Sequence, residues 1–298
     1  PPGEMQDKAL ARADLAVYKA KADGRSRLVM LDTSLEHAAA RRRAIAQYLQ
    51  DGIAQGHLFI EYQPIVSAKR APVGFEALMR LKGPDGVSIS PAEFIPIAED
   101  GGLIEDLGRW VLKEAITAAA QLPEELCVAV NVSPHEFRRG DLSTYLEQIL
   151  ATTDVAPHRI YLEVRESTLL VADMDVERQL AELRAIGIRI ALDDFGTGLS
   201  SLTHLWQFRF DRIKIDRAFS AKLDQDDTET AHMVETIAVL GRQVGTDVVA
   251  EGIESEAQLR AARAAGCDYF QGFLFARPSS FDTTLELVVE QAETRLIS

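Results

Sequence analysis

Two aspartates stand side by side at the end of an apolar run, in the stretch RIALDDFGTG at residues 189–198. The run has the composition of a buried strand, so Asp193 and Asp194 lie where that strand is predicted to end. Two carboxylates about 4 Å apart repel each other by about 4 kcal/mol at an effective dielectric constant near 20. A neighbouring cation has to offset this repulsion, and the pair is therefore a candidate metal site.

The same feature recurs along the chain, because a polar or charged residue lies at or near the carboxyl end of seven apolar runs. These residues are Glu76, Asn131, Glu163, Asp193 with Asp194, Lys214, Glu251 and Gln271. Their spacing of about 20 to 55 positions is compatible with successive strand–helix steps. A single strand that ends in a carboxylate indicates little, but seven in order favour a shared site over chance.

The ligand types in this set are mostly hard oxygen donors, which Mg²⁺ and Mn²⁺ prefer and Zn²⁺ does not. The six histidines form no HxH or HExxH pattern. About two divalent cations would neutralise such a cluster, and two metal ions suit in-line displacement at phosphorus. Lys214 is interpreted as a cation near the attacking water, or alternatively as a salt-bridge partner of a carboxylate. Glu166 is interpreted as an anchor for the loop at 195–201, or alternatively as a surface charge.

The elements that must position these side chains are eight apolar, β-rich runs, mostly separated by amphipathic helical patterns after the second run. The runs cover residues 58–66, 72–80, 126–133, 159–166, 188–194, 210–216, 246–252 and 267–275. This order predicts an α/β protein with a (β/α)₈ barrel, in which the carboxyl ends of the strands meet at one face. An open doubly wound sheet is the alternative, and the lack of a G-x-G-x-x-G motif after the first strand weakens it.

Composition restricts the function further. The 298 residues carry a net charge of −14, which disfavours nonspecific binding to a nucleic-acid polymer. Cys127 and Cys267 have no metal-binding spacing, and no apolar run is long enough for a membrane helix. The chain begins at Pro1 without a signal peptide. We therefore expect a cytoplasmic fragment of a longer protein, with any membrane or sensor segment upstream.

Several short motifs follow one another along residues 42–280: YQPIV, EALMR, NVS, LEVRE, DDFGTG, KID, AEGIES and GCDYFQGFLFARP. With these motifs the chain resembles EAL-domain phosphodiesterases of bacterial second-messenger signalling. The resemblance implies a modified TIM (β/α)₈ barrel whose first strand is antiparallel. It also implies hydrolysis of cyclic di-GMP to linear pGpG with two Mg²⁺ or Mn²⁺ ions, and inhibition by Ca²⁺.

The resemblance also implies roles for individual residues. The first metal would be held by Glu76, Asn131, Glu163 and Asp193, and the second by Asp193, Asp194 and Glu251. Lys214 and Glu251 would orient and deprotonate the attacking water, and Glu166 would hold the loop after Asp194 that couples dimerisation to catalysis. The residues expected to contact or support the substrate are Gln63, Leu78, Arg80, Gln271 and Glu254, with Arg80 on a phosphate.

The domain organisation follows from the same resemblance. Residues 1–32 resemble the last helix and strand of a GGDEF domain without its signature motif, and 33–57 is predicted to be a connecting helix. The EAL domain is predicted at 42–282 and a C-terminal helix at 283–298. A homodimer through the EAL domain, involving the region 195–220, is expected, whereas this fragment is expected to make no membrane contact.

Three positions depart from the family pattern. Arg165 stands between Glu163 and Glu166 where a threonine is usual, and we expect it to pair with Glu166 or to crowd the first metal site. Leu199 replaces a common aromatic residue, and Leu81 replaces a frequent tryptophan. No metal ligand is lost, so the sequence favours the hydrolase. The alternatives are a catalytically silent cyclic di-GMP receptor and a barrel enzyme that acts on an unrelated phosphoester.

Overall fold

The computed structural model describes residues 33–166, 168, 174–196, 208–224 and 227–297. Of residues 33–36, 174 and 290–297 it describes the backbone alone. The predicted GGDEF-like remnant at 1–32, Leu199 and most of the predicted loop at 195–201 lie outside these ranges.

The elements of the first half begin with a helix, followed by a pair of long strands. In chain order they are α1 (Thr33–Gln50), β1 (Leu58–Ser67), β2 (Pro72–Lys82), β3 (Ser88–Ile89), α2 (Pro91–Asp100), α3 (Ile104–Ala119), β4 (Cys127–Val132), α4 (Pro134–Phe137) and α5 (Leu142–Thr153).

The second half mostly alternates strands with helices. A 3₁₀ turn (Pro157–Arg159) leads into β5 (Ile160–Arg165), α6 (Met174–Ala185), β6 (Arg189–Phe195), β7 (Arg212–Ile215), α7 (Arg217–Ser220), α8 (Thr228–Val244), β8 (Asp247–Ala250), α9 (Glu256–Ala265), β9 (Tyr269–Phe270) and α10 (Phe281–Ile297).

Eight strands close into a barrel in the order β1, β9, β8, β7, β6, β5, β4, β2, because β1 also pairs with β2. β1 is antiparallel to both of its neighbours, whereas the other pairs of the ring are parallel. The short strand β3 lies outside the ring as a hairpin partner of β2. The predicted barrel with an antiparallel first strand is thus confirmed, and the open sheet is wrong because both sides of β1 are paired.

Alternation along the strands separates two packing environments. On β5, Ile160, Leu162 and Val164 contribute to the main apolar core together with the surrounding helices. Tyr161 belongs instead to a small cluster with Ile65, Ala129, Ala191 and Val249. Because successive side chains of a strand point to opposite faces, this cluster is an interior layer of the barrel.

Helix α1 packs on the outside of the barrel. Its buried residues Ile45 and Leu49 contact a core that includes Leu58, Leu81 and Phe94. Leu81, one of the family departures, is fully buried in this core. No helix within the described ranges has the length and apolar character needed to cross a lipid bilayer.

Candidate active site

The polar residues singled out in the sequence lie one layer above the interior apolar cluster. Asn131 follows Ala129 by two positions, Glu163 follows Tyr161, Asp193 follows Ala191 and Glu251 follows Val249. The period of two along a strand sends each of these side chains to the same face as its apolar predecessor. The barrel therefore has an apolar floor, with a ring of carboxylates toward the carboxyl ends of its parallel strands.

Lys214 is the centre of this ring. Its Nζ lies 2.7 Å from Glu163 Oε2, 2.7 Å from Glu251 Oε1, 3.1 Å from Glu76 Oε2 and 3.5 Å from Asp193 Oδ1. The lysine side chain is 1% exposed, so four carboxylates surround an ammonium group that water does not reach. This confirms the salt-bridge interpretation of Lys214 and places it among the predicted metal ligands.

Two amide side chains complete the hydrogen bonding of Glu76. Asn131 Nδ2 donates to Glu76 Oε1 at 2.7 Å, and Gln271 Nε2 donates to Glu76 Oε2 at 2.7 Å. Gln271 Nε2 also lies 3.2 Å from Gln63 Oε1, and Gln63 Nε2 donates to the carbonyl of Ala276 at 3.2 Å. Together with Lys214, these donors hold Glu76 in one orientation.

Burial and mutual repulsion shift the pKa values of these groups in different directions. Burial raises the pKa of Glu163 well above its usual value, with repulsion from Glu76 as the next cause. Burial also raises the pKa of Glu251, to about 8. Burial opposes ionisation of Glu76, but the Lys214 ammonium and the hydrogen bond from Gln271 lower its pKa overall. Burial alone would lower the pKa of Lys214, whereas the surrounding carboxylates raise it well above the usual value.

A bulge in β6 explains how two adjacent aspartates serve the same site. Leu192 pairs with Ile213 but Phe195 pairs with Ile215, so β6 has one residue more than β7 in this interval. Asp194 has φ of 55°, a left-handed conformation that aspartate tolerates better than most residues. The bulge places oxygens of Asp193, Asp194 and Glu251 within 4.8 Å of one another, as a group that could hold a metal ion.

The donor set fits divalent cations. Five carboxylates converge here: Glu76, Glu163, Asp193, Asp194 and Glu251. Glu163 Oε1 and Asp193 Oδ1 are buried and accept no hydrogen bond from the described residues, although Lys214 Nζ lies 3.5 Å from Asp193 Oδ1. Buried carboxylate oxygens without donors are costly, and a cation would supply what they lack.

Arg165 provides a second positive charge, at the mouth of the barrel. It pairs in register with Asp193, and its Nε lies 3.3 Å from Asp194 Oδ2. Its partner is therefore Asp194, whereas the sequence predicts pairing with Glu166 or crowding of the first metal site. Among the described residues, Lys214 and Arg165 are the cations that form ion pairs with the five carboxylates.

A cleft of about 630 Å³ opens above the carboxylates, within the usual range for a ligand site. Gln63, Leu78, Arg80, Glu254 and Gln271, which the sequence nominates for substrate contacts, all line it. Arg80 Nε lies 2.7 Å from Glu61 Oε2, so a carboxylate holds the guanidinium in the cleft wall. The structure thus brings the predicted substrate residues together beside the predicted metal ligands.

Glu166 lies behind the bulge. Its Oε2 accepts a hydrogen bond from the backbone N–H of Gly196 at 3.2 Å, and its other oxygen is buried without a partner among the residues that the structure describes. Glu166 thus contacts the first residue after β6, while residues 197–207 lie outside the described ranges. Its predicted effect on the rest of that loop stays a prediction.

Sequence reasoning missed the helix start at the edge of the cleft. Ser133 and Glu136 form a reciprocal capping box at α4, and Glu136 lines the cleft. The signal was present as S-x-x-E directly after an apolar run, which is the capping-box pattern. Other missed lining residues are Thr168, Arg217 and Phe273, for which the sequence pattern offers no signal.

Comparison with known proteins agrees with this geometry. Residues 46–278 match the EAL domain. The chain is 41% identical over 281 residues to an uncharacterized signaling protein of Caulobacter vibrioides, covering 94% of this chain and 35% of that protein. It is 35% identical over 292 residues to the bifunctional diguanylate cyclase/cyclic di-GMP phosphodiesterase MucR of Pseudomonas aeruginosa, covering 96% of this chain and 42% of MucR. The chain therefore spans well under half the length of these relatives.

Solved structures give the same result. A structure described as the MucR phosphodiesterase in complex with c-di-GMP aligns with a TM-score of 0.76 and 35% identity, covering 81% of this chain and 99% of that one. This chain belongs to the EAL domain family.

Proposed function

We propose that this EAL domain hydrolyses cyclic di-GMP to linear pGpG with the help of divalent cations. The observation that supports the proposal most directly is the group of four carboxylates around Lys214, together with the convergence of Asp193, Asp194 and Glu251 at the cleft. The relative MucR is named as a cyclic di-GMP phosphodiesterase, and its structure holds c-di-GMP.

The residues proposed to hold the cations fall into two groups that share Asp193. Glu76, Asn131, Glu163 and Asp193 form the deeper group, and Asp193, Asp194 and Glu251 form the outer one. The five carboxylates outnumber the two cations paired with them, Lys214 and Arg165, so the cluster carries excess negative charge when the carboxylates are ionised. Bound Mg²⁺ or Mn²⁺ would neutralise this charge and stabilise the charge that develops on the phosphate oxygens during displacement.

The cleft walls are proposed to position the dinucleotide. Arg80 offers a fork of N–H donors suited to a phosphate, and its contact with Glu61 fixes the direction of that fork. Gln63 and Gln271 present amide groups beside Glu76, and Leu78 contributes apolar surface. Glu254 lies at the same cleft and is proposed to support this arrangement.

The reaction itself needs a water molecule that attacks phosphorus while the bond to the 3′ oxygen breaks. Glu251 is proposed to accept the proton of this water, because its carboxylate belongs to the outer ligand group and lines the cleft. Lys214, 2.7 Å from Glu251, is proposed to orient the carboxylate and the water. The products are a 5′ phosphate and a free 3′ hydroxyl on one linear dinucleotide.

The loop after β6 and the oligomeric state belong to the same proposal. Glu166 holds the N–H of Gly196, two residues after Asp194, and so links the outer ligand group to the loop that follows. We propose a homodimer through the EAL domain in which this loop transmits contact between subunits to the cleft.

A second function, binding of cyclic di-GMP without hydrolysis, is favoured by one specific observation. Arg165 contacts Asp194, an outer ligand, with a positive charge. A guanidinium that stayed there would keep the outer group from taking a cation. The domain would then bind the dinucleotide and signal through a partner.

Chromatography of the reaction products distinguishes the two functions. The protein is incubated with cyclic di-GMP and Mn²⁺, beside Glu76→Ala and Glu256→Ala; Glu256 is an exposed carboxylate on α9 that pairs with Arg70. Hydrolysis requires pGpG from the parent protein and from Glu256→Ala, but not from Glu76→Ala. Binding of cyclic di-GMP with no turnover would establish the receptor, and an absence of binding would reject the dinucleotide for both.

A further inference from the structure

Arg165 occupies a position from which it can reach Asp194 without blocking the deeper ligands. It is the last residue of β5, two positions beyond Glu163 on the same strand face, and its side chain is 63% exposed. The guanidinium therefore approaches Asp194 from the solvent side of the cleft. Lys214, by contrast, is buried beneath the carboxylates. Its ion pairs are with Glu76, Glu163, Asp193 and Glu251.

The contact between Arg165 and Asp194 is of the kind that exchanges readily. Ion pairs with exposed partners contribute little to stability because water and salt screen them. A divalent cation that contacts Asp193, Asp194 and Glu251 together would interact far more strongly with the same oxygens. Both cannot hold the same face of the Asp194 carboxylate, because two cations at one oxygen repel each other.

We propose that Arg165 is an intramolecular competitor for the outer cation position, holding Asp194 when that position is empty and releasing it when a divalent cation binds. The inference rests on the proposed function in one respect, namely that this position takes a divalent cation. Its consequence is that the outer position fills at a higher metal concentration than it would without Arg165. Occupancy of the site then responds to the supply of free Mg²⁺ or Mn²⁺.

Calorimetric titration with Mn²⁺ alone, without nucleotide, measures this competition. The protein is first stripped of metal with a chelator, and the parent is compared with Arg165→Thr. Loss of the exposed pair is expected to tighten one of two binding steps by about two- to fivefold and to leave the other step unchanged. Arg165→Lys retains a cation at the mouth and is expected to stay close to the parent.

A matched control separates this local effect from a change in net charge. Arg178 on α6 is half exposed, lies outside the cleft and pairs with Glu182, so Arg178→Thr removes the same charge from the same kind of pair. Unchanged Mn²⁺ affinity in Arg165→Thr would overturn the proposal, as would an equal gain in Arg178→Thr or a single binding step in both proteins. Weaker binding of cyclic di-GMP with unchanged Mn²⁺ affinity would also overturn it and assign Arg165 to the substrate. The titration contains no nucleotide, so it is independent of hydrolysis. If the titration gives the expected result but the protein forms no pGpG from cyclic di-GMP, only the proposed phosphodiesterase activity is rejected.

Discussion

Replacement of Lys214 by methionine tests whether this lysine stabilises the barrel as well as the chemistry. Methionine keeps the apolar stem but removes an ammonium group that lies 2.7 to 3.5 Å from four carboxylate oxygens. Removal of one partner from a buried ion pair destabilises a protein by about 3 to 5 kcal/mol, because the other charge is left uncompensated. Protonation of Glu163 and Glu251, whose pKa values are already raised, limits the loss at the lower end of this range.

The expected change is a melting temperature roughly 10 °C lower in metal-free Lys214→Met at pH 8, since about 1 kcal/mol corresponds to about 2 to 4 °C in domains of this size. Added Mn²⁺ should restore part of the difference, because a divalent cation supplies the charge that the variant lacks. Lys113→Met is the matched control, since Lys113 is exposed on α3. Thermal unfolding of the three proteins, each with chelator and with Mn²⁺, measures both effects.

The pH dependence gives a second check on the same variant. The pKa of Lys214 is raised above its usual value, so its contribution to stability is fully present below about pH 10 and is lost only above it. The carboxylates around it take up protons as the pH falls, so the gap between the parent and Lys214→Met should narrow from pH 8 to pH 5. A gap under about 2 °C at pH 8 with chelator, or a gap that widens toward pH 5, would refute this account.

Three further predictions concern the neighbourhood of the site. Burial raises the pKa of Glu136 to about 8, so ionisation of this carboxyl destabilises the fold. The free energy of unfolding is therefore expected to fall as the pH rises from about 4.5 to 8. Glu136→Gln should therefore unfold in urea like the parent at pH 5 but be a few kcal/mol more stable at pH 8; an equal gap at both pH values contradicts this. Asp194→Ala should be about 1 kcal/mol less stable than Asp194→Asn, because alanine tolerates φ of 55° less well, and equal melting temperatures would exclude the strain. Glu166→Gln should lower turnover about tenfold with Mn²⁺ affinity unchanged, because the hydrogen bond to Gly196 loses its charge, and calorimetry beside kinetics tests both halves.

The fold was predictable from periodicity because each of the eight apolar runs overlaps a strand of the ring. The antiparallel direction of β1 was predicted by the family resemblance, but a physical signal for it was present in the chain. Only residues 68–71 connect β1 to β2. A parallel neighbour requires a crossover of a dozen or more residues, so such a short connection permits an antiparallel hairpin alone.

The site was predictable in its membership but not in its contacts. Strand ends identify which carboxylates meet, since the parallel strands share one carboxyl-terminal face. The position of Asp194 depends on a bulge and a left-handed backbone angle, which strand alternation does not predict. The partner of Arg165 depends in turn on that bulge. The sequence therefore predicts Arg165 near Glu166, whereas the structure places its guanidinium on Asp194.

Two cations at different depths, Lys214 and Arg165, compensate the negative charge of one acidic site. Lys214 lies deep in the barrel, where Glu163 is fully buried. Exchange of its ammonium group with solvent would require the barrel to open. Arg165 lies at the mouth, where the Asp194 side chain is 36% exposed, and its guanidinium can move into water without disturbing the core. Lys214 therefore lets the barrel fold before any metal binds, because it compensates the charge of the least accessible carboxylates. Arg165 leaves the outer carboxylates available for metal binding. Its ion pair is weak and exposed, so a divalent cation that contacts three oxygens at once displaces it.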